Sequence, residues 1–392
     1  MPTLNRIAEF HADMTEWRRD LHRHPELGME EHRTAALVAE RLRAFGVDEV
    51  VTGIGGTGVV GAIRGQGAGT RAIGLRADMD ALPIGEENDT PWASAIAGRM
   101  HACGHDGHTA MLLGAARYLA ETRNFDGTAY VIFQPAEENL AGGQKMVEDG
   151  LFSRFPMELV FGMHNWPGVP AGVFVWKSGP IMAAVANIEI LVRGKGAHGA
   201  MPHQGTDPIL IAAQIVSALQ SIVARNLEPV EAGVVTIGHI EGGDTWNVIP
   251  SVVRMRGTAR WFRPEVGDLL EQRVTGLATG IAAAFGAEAE VTFARAYPAT
   301  VNDADATALT IRAAQAVAGE TRVIEMPKPT MGGEDFAYML NAKQGSYIML
   351  GSGKGADDPQ VHHPRYDFND DVLPIGASYW ATLVEQLLPR RG

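Results

Sequence analysis

The stretch RAIGLRADMD, Arg71–Asp80, reads as an apolar strand that runs straight into two acids. After it, HTAMLLGAARYLAETR (His108–Arg123) has the apolar periodicity of a helix, and GTAYVIFQ (Gly127–Gln134) and ELVFGMH (Glu158–His164) are two more strand-like runs. Strands alternating with helices predict an α/β sheet with helices on its faces. In open sheets of this kind ligands bind beyond the carboxyl ends of the strands. Here all three runs end in polar clusters: Asp78-Met79-Asp80, Gln134-Pro135-Ala136-Glu137-Glu138 and His164-Asn165-Trp166. These clusters are expected to converge on one crevice, joined by HACGHD (His101–Asp106) just before the helix.

N-terminal to this core, Leu4–Arg23 and Met29–Phe45 have the pattern of amphipathic helices, with Gly46 where a helix C-terminal glycine belongs. GIGGTG, Gly53–Gly58, matches the G-x-G-x-x-G fingerprint of dinucleotide sites, with Asp78 about twenty residues later. The fingerprint requires a helix after the glycines to receive the pyrophosphate, whereas the next residues, VVGAIRGQGAG, have a β-rich pattern, so a glycine-rich hairpin is expected instead. From Ala184 to Arg295 the pattern restarts. NIEILVRG, the helix PILIAAQIVSALQSIVARN opened by Asp207-Pro208, GVVTIGHI, SVVRMRGTARWF, a helix over Val266–Phe285 and AEVTFARAY come in turn. This β-α-β-β-α-β order is ferredoxin-like and predicts an inserted α+β domain over 184–295, between two parts, 1–183 and 296–392, of a larger domain. A last helix is expected over Pro374–Leu388.

The 392-residue chain is long enough for such a two-domain enzyme. Its net charge of −13 argues against nucleic acid as a partner and favours a small molecule. The N-terminus lacks a signal-peptide core, and no later run approaches the roughly 18 apolar residues of a membrane span. A single cysteine cannot form an intramolecular disulfide, which suits the reducing cytoplasm.

Thiolate, imidazole and carboxylate are the usual ligands of zinc and related metals. Cys103 and His105, one residue apart, would share a face of an extended segment and could grip one metal or a close pair. The bland alternative for a lone cysteine is a small buried hydrophobe. Glu137 and Glu138 are either a solvated acidic loop or, as successive residues leaving a strand, one metal ligand and one base facing water. A divalent metal lowers the pKa of water, and a nearby carboxylate can take its proton and deliver it to a leaving amine, so the pair fits hydrolysis. His362-His363 and Glu334-Asp335 are weaker signals, as are His198 and His203 in the loop GKGAHGAMPHQGTDP, where an imidazole could polarise a carbonyl.

Taken in order, HRHPELGMEE, RADMDALPI, MHACGHDGHTAMLLGAA, IFQPAEE, GMHNWP, GKGAHGAMPHQGTDPI, NVIP, MGGEDF and HHPRYDF run through nearly the whole chain. Together they resemble the metallopeptidase family of aminoacylases and carboxypeptidases, in its amidohydrolase branch, which includes hippurate hydrolase and the auxin-conjugate hydrolases. The resemblance implies a metal-dependent exopeptidase-like domain around a central mixed sheet, and a ferredoxin-like lid that makes a homodimer or tetramer. It implies two divalent ions per subunit, zinc or manganese, held by Cys103, His105, Glu138, His164 and His362, with Cys103 bridging. Glu137 becomes the general base, His198 a carbonyl-polarising residue that enters from its own or the partner subunit, and Asp80 a residue orienting a ligand. His101, His108 and His363 take structural or outer roles. Where many relatives carry a metal-binding histidine two residues before the aspartate, this chain has Asp78, and His105 takes over that role.

The reaction implied is hydrolysis of an N-acyl amino acid to a carboxylic acid and a free amino acid. Asn247 and Arg260 are candidates for holding the substrate carboxylate, Arg260 being equally readable as a solvated strand residue. The alternatives are a dipeptidase or carboxypeptidase on the same scaffold and a non-catalytic metal-dependent binding protein.

Overall fold

Two compact units divide the chain, one of Met1–Ile181, Thr300–Pro329 and Asp335–Gly392, the other of Met182–Ala299 and Thr330–Glu334. The structure is a computed structural model that describes residues 3–390, so residues 1, 2, 391 and 392 of the two expected outer segments lie outside the described residues. The first unit opens with α1 (Asn5–Glu9), α2 (His11–Arg23) and α3 (His32–Ala44), then β1 (Glu49–Ile54), β2 (Gly58–Arg64), β3 (Ala72–Asp78), α4 (His105–Thr122) and β4 (Thr128–Gln134). Three short helices, α5 (Glu137–Leu140), α6 (Gly142–Glu148) and α7 (Leu151–Arg154), lead to β5 (Leu159–Pro170), β6 (Phe174–Trp176) and β7 (Gly179–Met182). The second unit holds β8 (Ala184–Arg193), β9 (Ala197–His198), α8 (Pro208–Arg225), β10 (Gly233–Glu241), β11 (Val248–Ile249), β12 (Val252–Trp261), α9 (Pro264–Ala284) and β13 (Glu288–Tyr297). The chain then returns to the first unit with β14 (Thr300–Asn302), α10 (Ala304–Ala318), β15 (Val323–Glu325), α11 (Ala337–Ala342), β16 (Gly345–Gly353) and α12 (Leu373–Leu387).

The first unit is built on an eight-stranded mixed sheet in the order β1-β2-β4-β3-β5-β16-β6-β15. Its central strands β4, β3, β5 and β16 are parallel, as the strand–helix alternation predicts. GIGGTG forms the turn of the antiparallel β1–β2 hairpin, the structure expected when no helix follows the glycines. Register then decides where the chemistry sits. Asp78 lies opposite Gln134, and Arg76 opposite Gly162, so Asp78 and His164 share one level across three strands. β5 does not stop at His164 as its sequence suggests. It continues to Pro170 along β16 while β3 ends at Asp78, which leaves His164 beside an opening rather than at a strand terminus.

The N-terminal helix expected over Leu4–Arg23 is broken at Phe10, whose ring is buried and whose N–H bonds back to Ile7. The second begins at His32, after a turn in which Met29 adopts φ 67°. In the second unit four antiparallel strands, β10-β12-β8-β13, carry α8 and α9 packed against each other and the sheet over a separate apolar core. Asp207 caps α8 by accepting from the Ile209 and Leu210 amides. Contrary to the sequence expectation, α8 is long and apolar enough to cross a membrane, with a mean hydropathy of 1.5 over 18 residues. Its Ile211, Ile215, Leu219 and Ile222 line the core of this unit, which accounts for the apolarity of its buried face.

Helix α4 starts at His105, three residues before the expected His108. Its N-cap, Gly104, has φ 92° and ψ 17°, a left-handed conformation that favours glycine. A Cβ on Gly104 would lie 2.4 Å from Asn165 Nδ2 and 2.6 Å from Tyr366 Oη. Gly104→Ala is therefore expected to destabilise the protein by about 1–3 kcal/mol, through combined backbone strain and overpacking, as measured by denaturant unfolding.

Candidate metal centre and active site

Six of the residues singled out from sequence converge in the first unit. The ligating atoms of Cys103, His105 and His164 lie within 4.8 Å of one another, as do those of Cys103, Glu138 and His362, and those of His105, Glu137 and Glu138. The local backbone differs from the extended geometry expected. The left-handed Gly104 turns Cys103 and His105 towards one point at the mouth of α4, so their shared direction comes from a helix N-terminus and not from strand alternation. Glu137 and Glu138 do not leave β4 in strand geometry either. Ala136, at φ 50° and ψ 46°, breaks the strand, and both acids stand in the first turn of α5.

Hydrogen bonds fix the imidazoles. His105 Nδ1 donates to Asp80 Oδ1 at 3.2 Å, while its Nε2 is buried without a hydrogen-bond partner, 3.7 Å from Asp78 Oδ2. His164 Nδ1 donates to the Asn165 carbonyl at 2.6 Å, leaving Nε2 directed at Cys103 Sγ, 3.4 Å away. Asp80 Oδ2 accepts from the Glu138 N–H at 2.9 Å, so one carboxylate orients both His105 and the acid turn. Glu138 Oε1 is 3.0 Å from His362 Nε2, and Glu137 Oε1 accepts from the Asp335 amide at 3.4 Å.

The electrostatics call for a cation. Burial, with Glu138, Glu137 and Asp78 nearby, pushes the Cys103 thiol well above its ordinary pKa. Burial opposes charge on His105, yet Asp78, Asp80 and Glu138 lift it to about 10. Burial and the neighbouring His108 hold His164 well below its ordinary value, as a neutral imidazole whose Nε2 lone pair faces the Cys103 thiol. A buried thiol, the imidazoles of His105 and His164 and the carboxylates of Glu137 and Glu138 thus fall in overlapping groups of three, each imidazole oriented through its Nδ1–H, and these are the donor types of a transition-metal site.

The remaining buried groups support this cluster. His108 Nδ1 donates to Asp78 Oδ1 at 2.6 Å and its Nε2 accepts from Asn165 N–H at 2.9 Å, so both ring nitrogens have structural partners. Arg76 donates to Gln134, Asp78 and Asp335 at 2.8, 2.7 and 3.2 Å. Asp335 also accepts from the Gly143 amide at 2.7 Å, a role its place in MGGEDF does not disclose. Behind the site, His22 donates to Asp106 at 2.8 Å and to Glu86 at 3.2 Å, and Arg18 pairs with Asp370 at 2.7 Å. His363 is exposed, its Nδ1 accepting from the Arg365 amide at 3.0 Å. The motif HRHPELGMEE carried the His22 and Glu31 positions in plain view, but nothing local says which distant groups they bond.

Three predicted residues lie in the second unit. His198 on β9 pairs in register with Val248 on β11, and the Gly199 N–H donates to the Asn247 carbonyl at 2.7 Å, so His198 and Asn247 are neighbours on one exposed ribbon. Arg260 lies apart from that ribbon, on β12 opposite Val185 and Val234, its guanidinium held by the Thr258 hydroxyl and the Ala259 carbonyl.

The profile of peptidase family M20/M25/M40 matches residues 74–386. Over 388 residues the chain is 39% identical to a hippurate hydrolase of Campylobacter jejuni, covering 99% of this chain and all of that one. It is 43% identical to an N-acetyl-L-cysteine deacetylase of Bacillus subtilis, over 93% of this chain and 85% of the relative. A dinuclear metal binding peptidase of the M20 family from Bacillus subtilis superposes with a TM-score of 0.82 at 35% identity, covering 97% of this chain and 99% of that one.

Burial lowers the pKa of His22, but Asp106 and Glu86 outweigh it and raise it to about 9. Its contribution to stability is then complete below the ordinary value of 6.5 and is lost as pH rises through 9. Between these pH values the wild-type Tm is expected to fall by more than that of His22→Gln. Parallel Tm curves for the two proteins would refute the protonated His22.

Proposed function

The chain belongs to peptidase family M20/M25/M40 and is a hydrolase of that family, and on this premise we propose that it cleaves N-acyl amino acids, hippurate among them. Water adds across the amide of R–CO–NH–CHR′–COO⁻ to release a carboxylic acid and a free amino acid. The observation that carries this reading is the pair of adjacent acids, Glu137 and Glu138, with carboxylate oxygens within 4.8 Å of a His105 ring nitrogen.

Cys103, His105, Glu138, His164 and His362 would hold two divalent ions per subunit, Cys103 being the ligand common to two of the donor groups. When bound, the ions supply Lewis acidity, which lowers the pKa of water towards neutrality and polarises a carbonyl. The thiolate favours zinc, whereas the carboxylates and intracellular availability leave room for manganese. Glu137 is buried and acts as general base: its carboxylate takes a proton from the attacking water and returns it to the amide nitrogen as the C–N bond breaks. Asp80 keeps the His105 lone pair on Nε2 by accepting from Nδ1.

His198 Nδ1 accepts from the Ala200 amide at 3.0 Å, which places its proton on Nε2, the donor a carbonyl oxygen needs as negative charge develops. Asn247, beside β11, and Arg260, on β12, are each proposed as a residue for the substrate carboxylate, and the second unit is proposed as the lid. We also place a homodimer or tetramer interface on that unit. Its edge strand β10 is largely exposed, α8 exposes Ile209, Leu210 and Val223, and Trp246 is 98% exposed. Sedimentation of the wild-type protein as a monomer would remove that assembly. The single cysteine suits a cytoplasmic location.

Glu137→Gln is expected to retain metal and to lower kcat by about 10²–10⁴-fold on N-benzoylglycine. Metal content and kcat measured on one sample check this, and near-normal turnover removes Glu137 as the base. Cys103→Ala should lose metal together with activity. Faster turnover of unblocked dipeptides than of N-acyl amino acids would favour the dipeptidase reading. Absence of amide hydrolysis after metal restoration would leave only a binding protein.

A further inference from the structure

Glu31 is a fully buried acid with no part in the chemistry above. It stands at the N-cap of α3, where a polar side chain ordinarily caps its own helix. Glu26 does that instead, accepting from the Arg33 N–H at 3.0 Å and the Thr34 N–H at 2.8 Å. The Glu31 carboxylate is thereby free to join two other segments. Its Oε2 accepts from the Thr57 hydroxyl at 2.5 Å, and its Oε1 from the Ala136 N–H at 2.7 Å.

Ala136 is the left-handed residue that turns the end of β4 into α5 and so aims Glu137 and Glu138. A non-glycine residue keeps such a conformation only where its surroundings hold it. Packing contributes: a Cβ on Gly28 would stand 3.0 Å from the Ala136 Cβ, and one on Gly142 only 1.7 Å from the Pro135 carbonyl oxygen. Two amides of the turn are held by carboxylates from distant segments, Ala136 by Glu31 and Glu138 by Asp80, with Glu137 between them. Burial pushes the Glu31 carboxyl up to about 7, so its ionised form is disfavoured where it stands. An acid kept at such a position is more readily explained by what it holds than by the stability it adds.

We propose that Glu31 is a positioning residue for Glu137, its carboxylate fixing the Ala136 amide and with it the turn that presents the base. The inference rests on the reading of Glu137 as that base. Glu31→Gln keeps a carbonyl oxygen for the Ala136 N–H and gives the Thr57 oxygen an N–H donor, whereas Glu31→Ala keeps neither. In the metal-loaded protein, Glu31→Ala should lower kcat on the order of 10²-fold, because a small misplacement of a reacting group is that costly. KM and metal content should stay within about twofold, as expected when only the transition state is affected. Glu31→Gln should recover most of the lost kcat. Should the alanine variant not fold, Glu31→Met preserves the volume, and the same loss is expected.

Hydrogen exchange at the Ala136 amide supplies a readout independent of substrate. Protection should be lost in Glu31→Ala or Glu31→Met and kept in Glu31→Gln. Wild-type kcat in a folded, metal-replete Glu31→Ala protein overturns the proposal, and so does a glutamine variant as impaired as the alanine one. If the wild-type protein hydrolyses no N-acyl amino acid while Ala136 protection still tracks this series, the functional reading falls and the clamp stands.

Discussion

The rest of the site depends on the ion pair between Arg76 and Asp78, buried at 2.7 Å in strand β3. A charge of either sign is costly in such a place unless it is paired and its remaining hydrogen-bonding capacity is filled. Arg76 meets that demand by reaching Gln134 on β4 and Asp335 near α11. Asp78 meets it through His108 Nδ1 and, by its backbone carbonyl, the Thr109 hydroxyl, both in α4. The pair thus ties two parallel strands, the helix carrying His105 and the segment whose amide touches Glu137. Asp78 is fully engaged in this way, which is a physical reason for a ligand role to fall on His105.

Much of this was legible in the sequence because it depends on local pattern. The strand period, the polar residues at strand ends and the choice of cysteine, histidine and carboxylate side chains together pointed to one crevice, and the parallel register of β3, β4 and β5 supplies the physical basis for it. The conformations of Gly104 and Ala136 were not legible. Both segments read as continuations of extended chain, whereas each turns on a single left-handed residue set by its tertiary surroundings, Gly104 where Asn165 and Tyr366 leave no room for a Cβ, Ala136 where Glu31 accepts from its amide. Partners such as Glu31 and Ala136, or Arg76 and Asp335, are 105 and 259 residues apart, and no periodicity links them. The α8 helix shows the same limit from the other side, since the apolarity of its buried face belongs to packing in its own unit that the sequence does not display.

Backbone strain is concentrated where the chemistry is. Five non-glycine residues have positive φ among the described residues: Met29, Arg123, Ala136, Ala141 and His362. Arg123 ends α4, where a left-handed cap is ordinary helix chemistry. The other four all lie at the site's segments. Ala136 and Ala141 bracket α5 and its two acids, His362 is itself a candidate ligand, and Met29 belongs to the Glu26–Glu31 segment that grips Ala136. Each such residue costs on the order of 1–3 kcal/mol and persists only where the fold over-determines it. Left to local preference, the chain after β4 would continue as strand or loop, and Glu137 and Glu138 would point away from each other. Long-range carboxylate–amide bonds hold it otherwise, so the spacing of the two acids is a property of the folded unit and not of the dipeptide that contains them.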